Sequence, residues 1–191
     1  MGIGFAALVV GCASVAASGS NADAATAERV SAAIDLYPRD ARGARERLQE
    51  IGGSAVPHIV RALWCREQLQ IPGRLFLVSI LADTDSSEAV RGLIQLLSHW
   101  DPSVRAEIAG RLGKRPAMEA AFPLTMLLDD EAVAFSRVTT DPHTEEVILV
   151  RDRAVVALEQ TTGRVLSPGG SYKEKAAAWM QWRRGASTIP P

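Results

Sequence analysis

The sequence predicts an all-α protein: a short α-solenoid of antiparallel helix pairs, interrupted once by a small β-hairpin. Three observations point there. Ala, Leu, Val and Arg dominate and aromatic residues make up only 5 %, a mix that suits helices better than sheets. Apolar residues recur at helical spacing in short runs separated by Pro, Gly and capping residues. One apolar pattern returns at intervals in the low thirties, the period of two-helix repeats. With 191 residues the chain can bury a sizeable core.

The elements follow in order. "TAERVSAAIDLY" places Val30, Ala33, Ile34 and Tyr37 on one face and ends at Pro38. "DARGARERLQEIGG" aligns Ala41, Ala44, Leu48 and Ile51 and stops at Gly52-Gly53. "SAVPHIVRALWCREQLQ" begins with Ser54 as the expected N-cap and Pro57 in the first turn. "PGRLFLVSILAD", "SSEAVRGLIQLLSHW", "DPSVRAEIAGRLG" and "AMEAAFPLTMLLDD" continue the series. In the sixth of these segments Asp101 is the N-cap and Pro102 the first helical residue. Val104, Ile108 and Leu112 form the buried stripe, and Gly113 is expected to let the chain turn back.

The repetition is explicit. Ile59-Val60-x-Ala62-Leu63 returns as Leu93-Ile94-x-Leu96-Leu97 and again as Leu124-Thr125-Met126-Leu127-Leu128. Val104-Arg105, Ile108-Ala109 and Leu112 match Val150-Arg151, Ala154-Val155 and Leu158. "DPSVRAEIAGRLG" and "VRDRAVVALEQTTG" resemble the second helices of HEAT repeats, in particular the short bacterial HEAT-like kind. The resemblance spans roughly 54–163, within a repeat domain of 24–163. It implies a right-handed solenoid of stacked antiparallel helix pairs and a role in binding another protein. It also implies that Asp101, Arg105, Arg151 and Asp152 are inter-repeat structural residues, the arginines bridging to acids of the next unit. Some HEAT-like proteins are enzymes, such as the lyases that attach bilins. An enzyme or enzyme accessory of that type is the alternative expectation, though no catalytic motif carries over.

The last unit departs from the one before it by an insertion of some fifteen residues between Leu128 and Val150, about 131–147. "AVAFSRVTTDPHTEEVILV" reads as a hairpin, Ala134–Thr140 with Glu146–Val150, turning at "TDPHTE". Insertions in solenoids project from one face and often carry function, which makes Phe135, Arg137 and His143 candidate partner contacts. A final segment, 164–191, holds a capping helix that Ser171 can start, followed by a loose tail. Trp179 and Trp182 are expected to cover the end of the core, and are also candidate partner contacts.

The first 23 residues read as an address and tether. "MGIGFAALVVGCASVAASGS" has no charged side chain, and its apolar run from Ile3 to Val10 is too short to span a bilayer. It fits the apolar part of a secretory signal. "VVGC" resembles a bacterial lipobox, with Val9, Gly11 and Cys12 matching and Cys12 as the candidate lipidation site. The absence of a basic residue before the apolar run departs from that pattern, and cleavage after Ala17 is the alternative. The expected location is the bacterial cell envelope, the chain being exported and membrane-anchored through Cys12. A periplasmic or cytoplasmic place is the alternative.

The function classes narrow accordingly. Twenty-one basic and 22 acidic residues give a net charge of −1, so nucleic acid is not an expected partner. His58, His99 and His143 are far apart, no phosphate loop or GxSxG elbow occurs, and Cys65 reads as a packing thiol. Asp129-Asp130-Glu131 reads as a solvated acidic face. No cofactor, metal or catalytic residue is expected.

Overall fold

A computed structural model describes residues 21–115, 118–138 and 145–186. The protein is mostly helical with one small two-stranded antiparallel sheet. Helix α1 (Asn21–Leu36) is followed by α2 (Ala41–Ile51), α3 (Val56–Cys65), α4 (Ile71–Asp83), α5 (Ser87–Gln95) and α6 (Pro102–Gly113). The short α7 (Ala121–Leu124), strands β1 (Val133–Val138) and β2 (Glu145–Leu149), α8 (Val150–Thr162) and α9 (Tyr172–Ala186) complete the order.

Local chemistry explains most boundaries. Asp40 caps α2 by accepting from the Gly43 N–H at 2.8 Å, and Ser86 caps α5 through the Ala89 N–H at 3.0 Å. Gly163 closes α8 in the left-handed region. Ser171 and Glu174 form a reciprocal box at the start of α9. The Ser171 N–H donates to Glu174 Oε2 at 2.7 Å, and the Glu174 N–H donates to Ser171 Oγ at 3.3 Å. Ser54, expected to cap α3, lies instead inside a 3₁₀ turn (Gly52–Ala55), and no side-chain cap precedes Val56. The third apolar block does not make a full helix. Pro123 has no N–H to give, and the Thr125 hydroxyl donates back to the Phe122 carbonyl at 2.6 Å. Hence α7 is one turn, flanked by 3₁₀ turns at Met118–Ala120 and Thr125–Leu127.

The helices pack in two rows. In one, α1 touches α3 and α3 touches α5; in the other, α2 lies on α4, α4 on α6, α6 on α8, and α8 on α9. Helix α4 is apolar nearly all round, with Phe76, Leu77, Val78, Ile80 and Leu81 buried, because it is packed by α2, α3, α5 and α6 together. One continuous core runs from Val30 to Trp179.

The strands fall at Val133–Val138 and Glu145–Leu149 rather than at 134–140 and 146–150. Val133 pairs with Leu149 and Phe135 with Ile148, so Ala134 is the extra residue of a bulge. The bulge turns Ala134 into the core, and its carbonyl accepts from Ser103 Oγ of α6 at 2.9 Å. The ladder then runs straight into α8: the Val150 N–H donates to Ala132 O and the Arg151 N–H to Asp130 O, both at 3.0 Å. The hairpin is thus anchored to α6 and to α8.

Candidate functional site

A dense polar cluster lies where α3, α4 and the start of α6 meet, on "HWDPSVR". His99 is fully buried. Its Nε2 lies 3.0 Å from the Leu63 carbonyl, and its Nδ1 accepts the Asp101 backbone N–H at 3.0 Å. Those partners assign the neutral Nε2–H tautomer. The ring is flanked by Trp64 and Trp100, each with its centroid 5.1 Å away. Burial holds the imidazole pKa below its ordinary value, against the opposing pull of the Leu63 carbonyl and the Asp101 carboxylate.

Asp101 divides its carboxylate. Oδ1 accepts the Ser103 N–H at 2.9 Å and so caps α6; Oδ2 takes Arg74 Nη1 at 2.7 Å. Both side chains are withdrawn from water, at 8 % exposure for Arg74 and 6 % for Asp101. Arg74 Nη2 reaches the Glu67 carbonyl at 3.2 Å, and its guanidinium carbon lies 4.2 Å from the centroid of the Trp100 ring. Its Nε is buried without a hydrogen-bond partner.

The same device recurs one helix on. Arg105 Nε donates to Asp130 Oδ2 at 2.7 Å, and its Nη1 donates to the His99 and Trp100 carbonyls at 2.6 and 3.0 Å. Asp130 Oδ1 accepts the Ala132 N–H at 3.1 Å. Arg151 pairs with Glu131 and lies 3.6 Å from Asp152 Oδ1, while Asp152 Oδ2 accepts the Leu149 N–H at 3.1 Å and caps α8. Within the acidic run 129–131 only Asp130 is drawn out of solvent, by Arg105; Asp129 and Glu131 stay exposed, and Arg151 reaches back to Glu131 rather than on to the unit that follows. Chemically the cluster clamps rather than reacts. Both nitrogens of His99 and both oxygens of Asp101 are engaged, so neither is placed to exchange a proton with a substrate.

Arg74 is the residue that pattern reading passes over. Its helix carries Arg74, Leu77-Val78 and Leu81 at the spacing of Arg105, Ile108-Ala109 and Leu112 and of Arg151, Ala154-Val155 and Leu158. That third register match was the available signal.

The remaining candidates separate. Trp179 is fully buried and belongs to the core; it cannot contact a partner. Trp182 is half-buried and meets it edge-on at 5.3 Å. Phe135 is half-buried against the core. The backbone of Arg137 pairs with Glu146. His143 and Cys12 lie outside the described residues. Cys65, expected as a packing thiol, stands half-buried at the end of α3. An open cleft of about 320 Å³ lies among Ala22, Asp23, Thr26, Ser54, Pro57 and Glu88. Among the described residues no three His, Cys, Asp or Glu side chains stand close enough to hold a metal ion, and no helix is long and apolar enough to cross a membrane.

Compared with known proteins, the chain matches no family model, no curated protein and no solved structure.

The His99 geometry gives a pH prediction. The unfolded chain binds a proton at the ordinary histidine pKa of about 6.5, and the folded chain only at lower pH. The stability contributed by the neutral ring is therefore whole above about pH 6.5 and is lost as pH falls from there towards the folded pKa. Urea midpoints taken between pH 7.5 and 5 should fall for the wild type and fall less for His99→Gln. Parallel losses in the two proteins would remove His99 as the cause.

Proposed function

We propose that the protein is a non-catalytic, protein-binding scaffold of the HEAT-like α-solenoid kind, exported and held at the bacterial cell envelope through a lipidated Cys12. The observation that carries the reading is the order of the helix rows, α1–α3–α5 beside α2–α4–α6–α8. That is how stacked helix pairs lie when each buries its apolar face on the next. The Arg74–Asp101 and Arg105–Asp130 pairs support it, since each ties a second-row helix to the unit that follows. Such a stack leaves long side surfaces for a partner, and the hairpin between α7 and α8 adds an irregular projection to them.

Two measurements test this reading. Radioactive palmitate should label the wild type and not Cys12→Ala. Cross-linking in the native membrane fraction should then recover one defined protein, and that protein, purified, should bind the chain saturably. A chain that takes up no palmitate loses its proposed anchor. Recovery with no saturable binder would sink the scaffold reading.

A further inference from the structure

The repeats present the same outward positions three times, and the third set is different in kind. Aligning Ile59-Val60, Leu93-Ile94 and Leu124-Thr125 places Gly53, Pro57 and Arg61 beside Ser87, Arg91 and Gln95, and beside Met118, Phe122 and Met126. All nine are exposed. The first two sets are polar or small; the third is wholly apolar. Met118 is 63 % exposed, Phe122 55 % and Met126 65 %. The inward residues of that segment, Ala120, Ala121, Leu124 and Leu127, already fill the core, so folding does not require the outward three. Met118 and Met126 lie in the 3₁₀ turns that flank α7 and Phe122 within it, so the three make one short exposed apolar stripe along this segment.

Cations border the stripe. The Arg183 guanidinium donates to the Thr125 carbonyl at 3.2 Å and lies 4.0 Å from Met126 Sδ. Arg184, next to it, is exposed. Lys114, also exposed, stands four residues before Met118 along the chain, while the Arg115 guanidinium is taken up by the Thr84 carbonyl at 2.8 Å. Glu119 is the one acid between Met118 and Met126, and Asp129 follows three residues beyond. Exposures above one half are those of side chains that stand clear of their neighbours rather than line a groove. A helical peptide docks into a concavity. A raised row of Met and Phe edged by Lys and Arg suits a deformable apolar layer beneath an anionic surface.

We propose that Met118, Phe122 and Met126, with Lys114, Arg183 and Arg184 beside them, form a membrane-docking face that inserts into the interface of an anionic bilayer. It relies on the envelope reading only for a membrane being within reach, and it needs no acyl chain.

The test uses the unlipidated full chain, sedimented with phosphatidylcholine vesicles containing roughly a third phosphatidylglycerol and with pure phosphatidylcholine vesicles. Binding to the anionic vesicles should be about tenfold tighter or more, and should weaken with salt. The combined Met118→Ser, Phe122→Gln and Met126→Gln variant, which takes its residue types from α5, should lose about tenfold or more with an unchanged melting temperature. Lys114→Glu with Arg184→Glu should lose a similar factor on anionic vesicles only. Wild type that stays in the supernatant overturns the proposal. So does a triple variant that sediments like wild type, which would place binding on the apolar N-terminal segment shared by both. A stripe variant that changes the oligomeric state and not vesicle binding would reassign the face to contact between copies. Palmitate labelling of Cys12 is read separately, so either idea can fail without the other.

Discussion

Asp101→Ala should destabilise the protein by about 3–5 kcal/mol, the cost of stranding a buried charge. The substitution removes the cap of α6, which alone is worth about 1 kcal/mol. The larger loss is at Arg74. Its guanidinium keeps the Glu67 carbonyl and the Trp100 ring, but loses the carboxylate that neutralises it at 8 % exposure. Against a total stability of about 5–15 kcal/mol this removes a large share. Asp101→Asn should cost less, because an amide oxygen can still accept one of the two bonds. Arg74→Met combined with Asp101→Asn should recover part of the loss, since a buried pair replaced by apolar atoms is often neutral. Urea denaturation of the four proteins decides it. A loss below about 1 kcal/mol in Asp101→Ala would mean that water reaches Arg74 and that the pair is a surface one. Arg42–Glu46, exposed on both sides at 89 % and 57 %, is the internal control: its removal should not register.

What could be read in advance and what could not divides along the range of the forces involved. Helix starts at Asp101 and Ser171 were legible because a cap bonds within two or three residues of itself. The hairpin was legible because its alternation and its turn are also local. The bulge at Ala134 was not, since the side chain that bonds its carbonyl, Ser103, lies 31 residues away. His99 looks like any lone histidine until the Leu63 carbonyl, 36 residues earlier, is seen to hold it. Asp130 reads as solvated because nothing local says that Arg105 reaches it. Trp179 and Trp182 read alike, three residues apart, yet one is buried and the other half-exposed. Arg74 was hidden for a different reason. It sits in a helix so apolar that its one charge looked incidental, and only comparison with two later helices reveals the register.

Gly113 is another residue whose expected role changes, and it yields the sharper of the two predictions. Locally it looks like a helix stopper, but it is still helical at the end of α6 and has no positive φ. Its function is to be small. A Cβ there would lie 2.7 Å from the Ala157 Cα and 3.0 Å from the Ala157 Cβ of α8. The first of these is backbone and cannot swing aside, so α6 and α8 would have to separate. That pair makes the largest interhelical contact among the described residues, and opening it loosens packing along both helices. Gly113→Ala gains up to about 1 kcal/mol of helix propensity and pays about 1–3 kcal/mol or more for overpacking. The net expected result is destabilisation. Gly110, three residues earlier in the same helix, has open space where its Cβ would stand. Gly110→Ala should therefore stabilise by up to about 1 kcal/mol. The opposite signs of two identical substitutions, one turn apart, isolate the tertiary contact from helix propensity. If thermal melts move both variants upward, α8 does not approach α6 as closely as Gly113 permits, and the side-by-side packing of the second-row helices loses its tightest point.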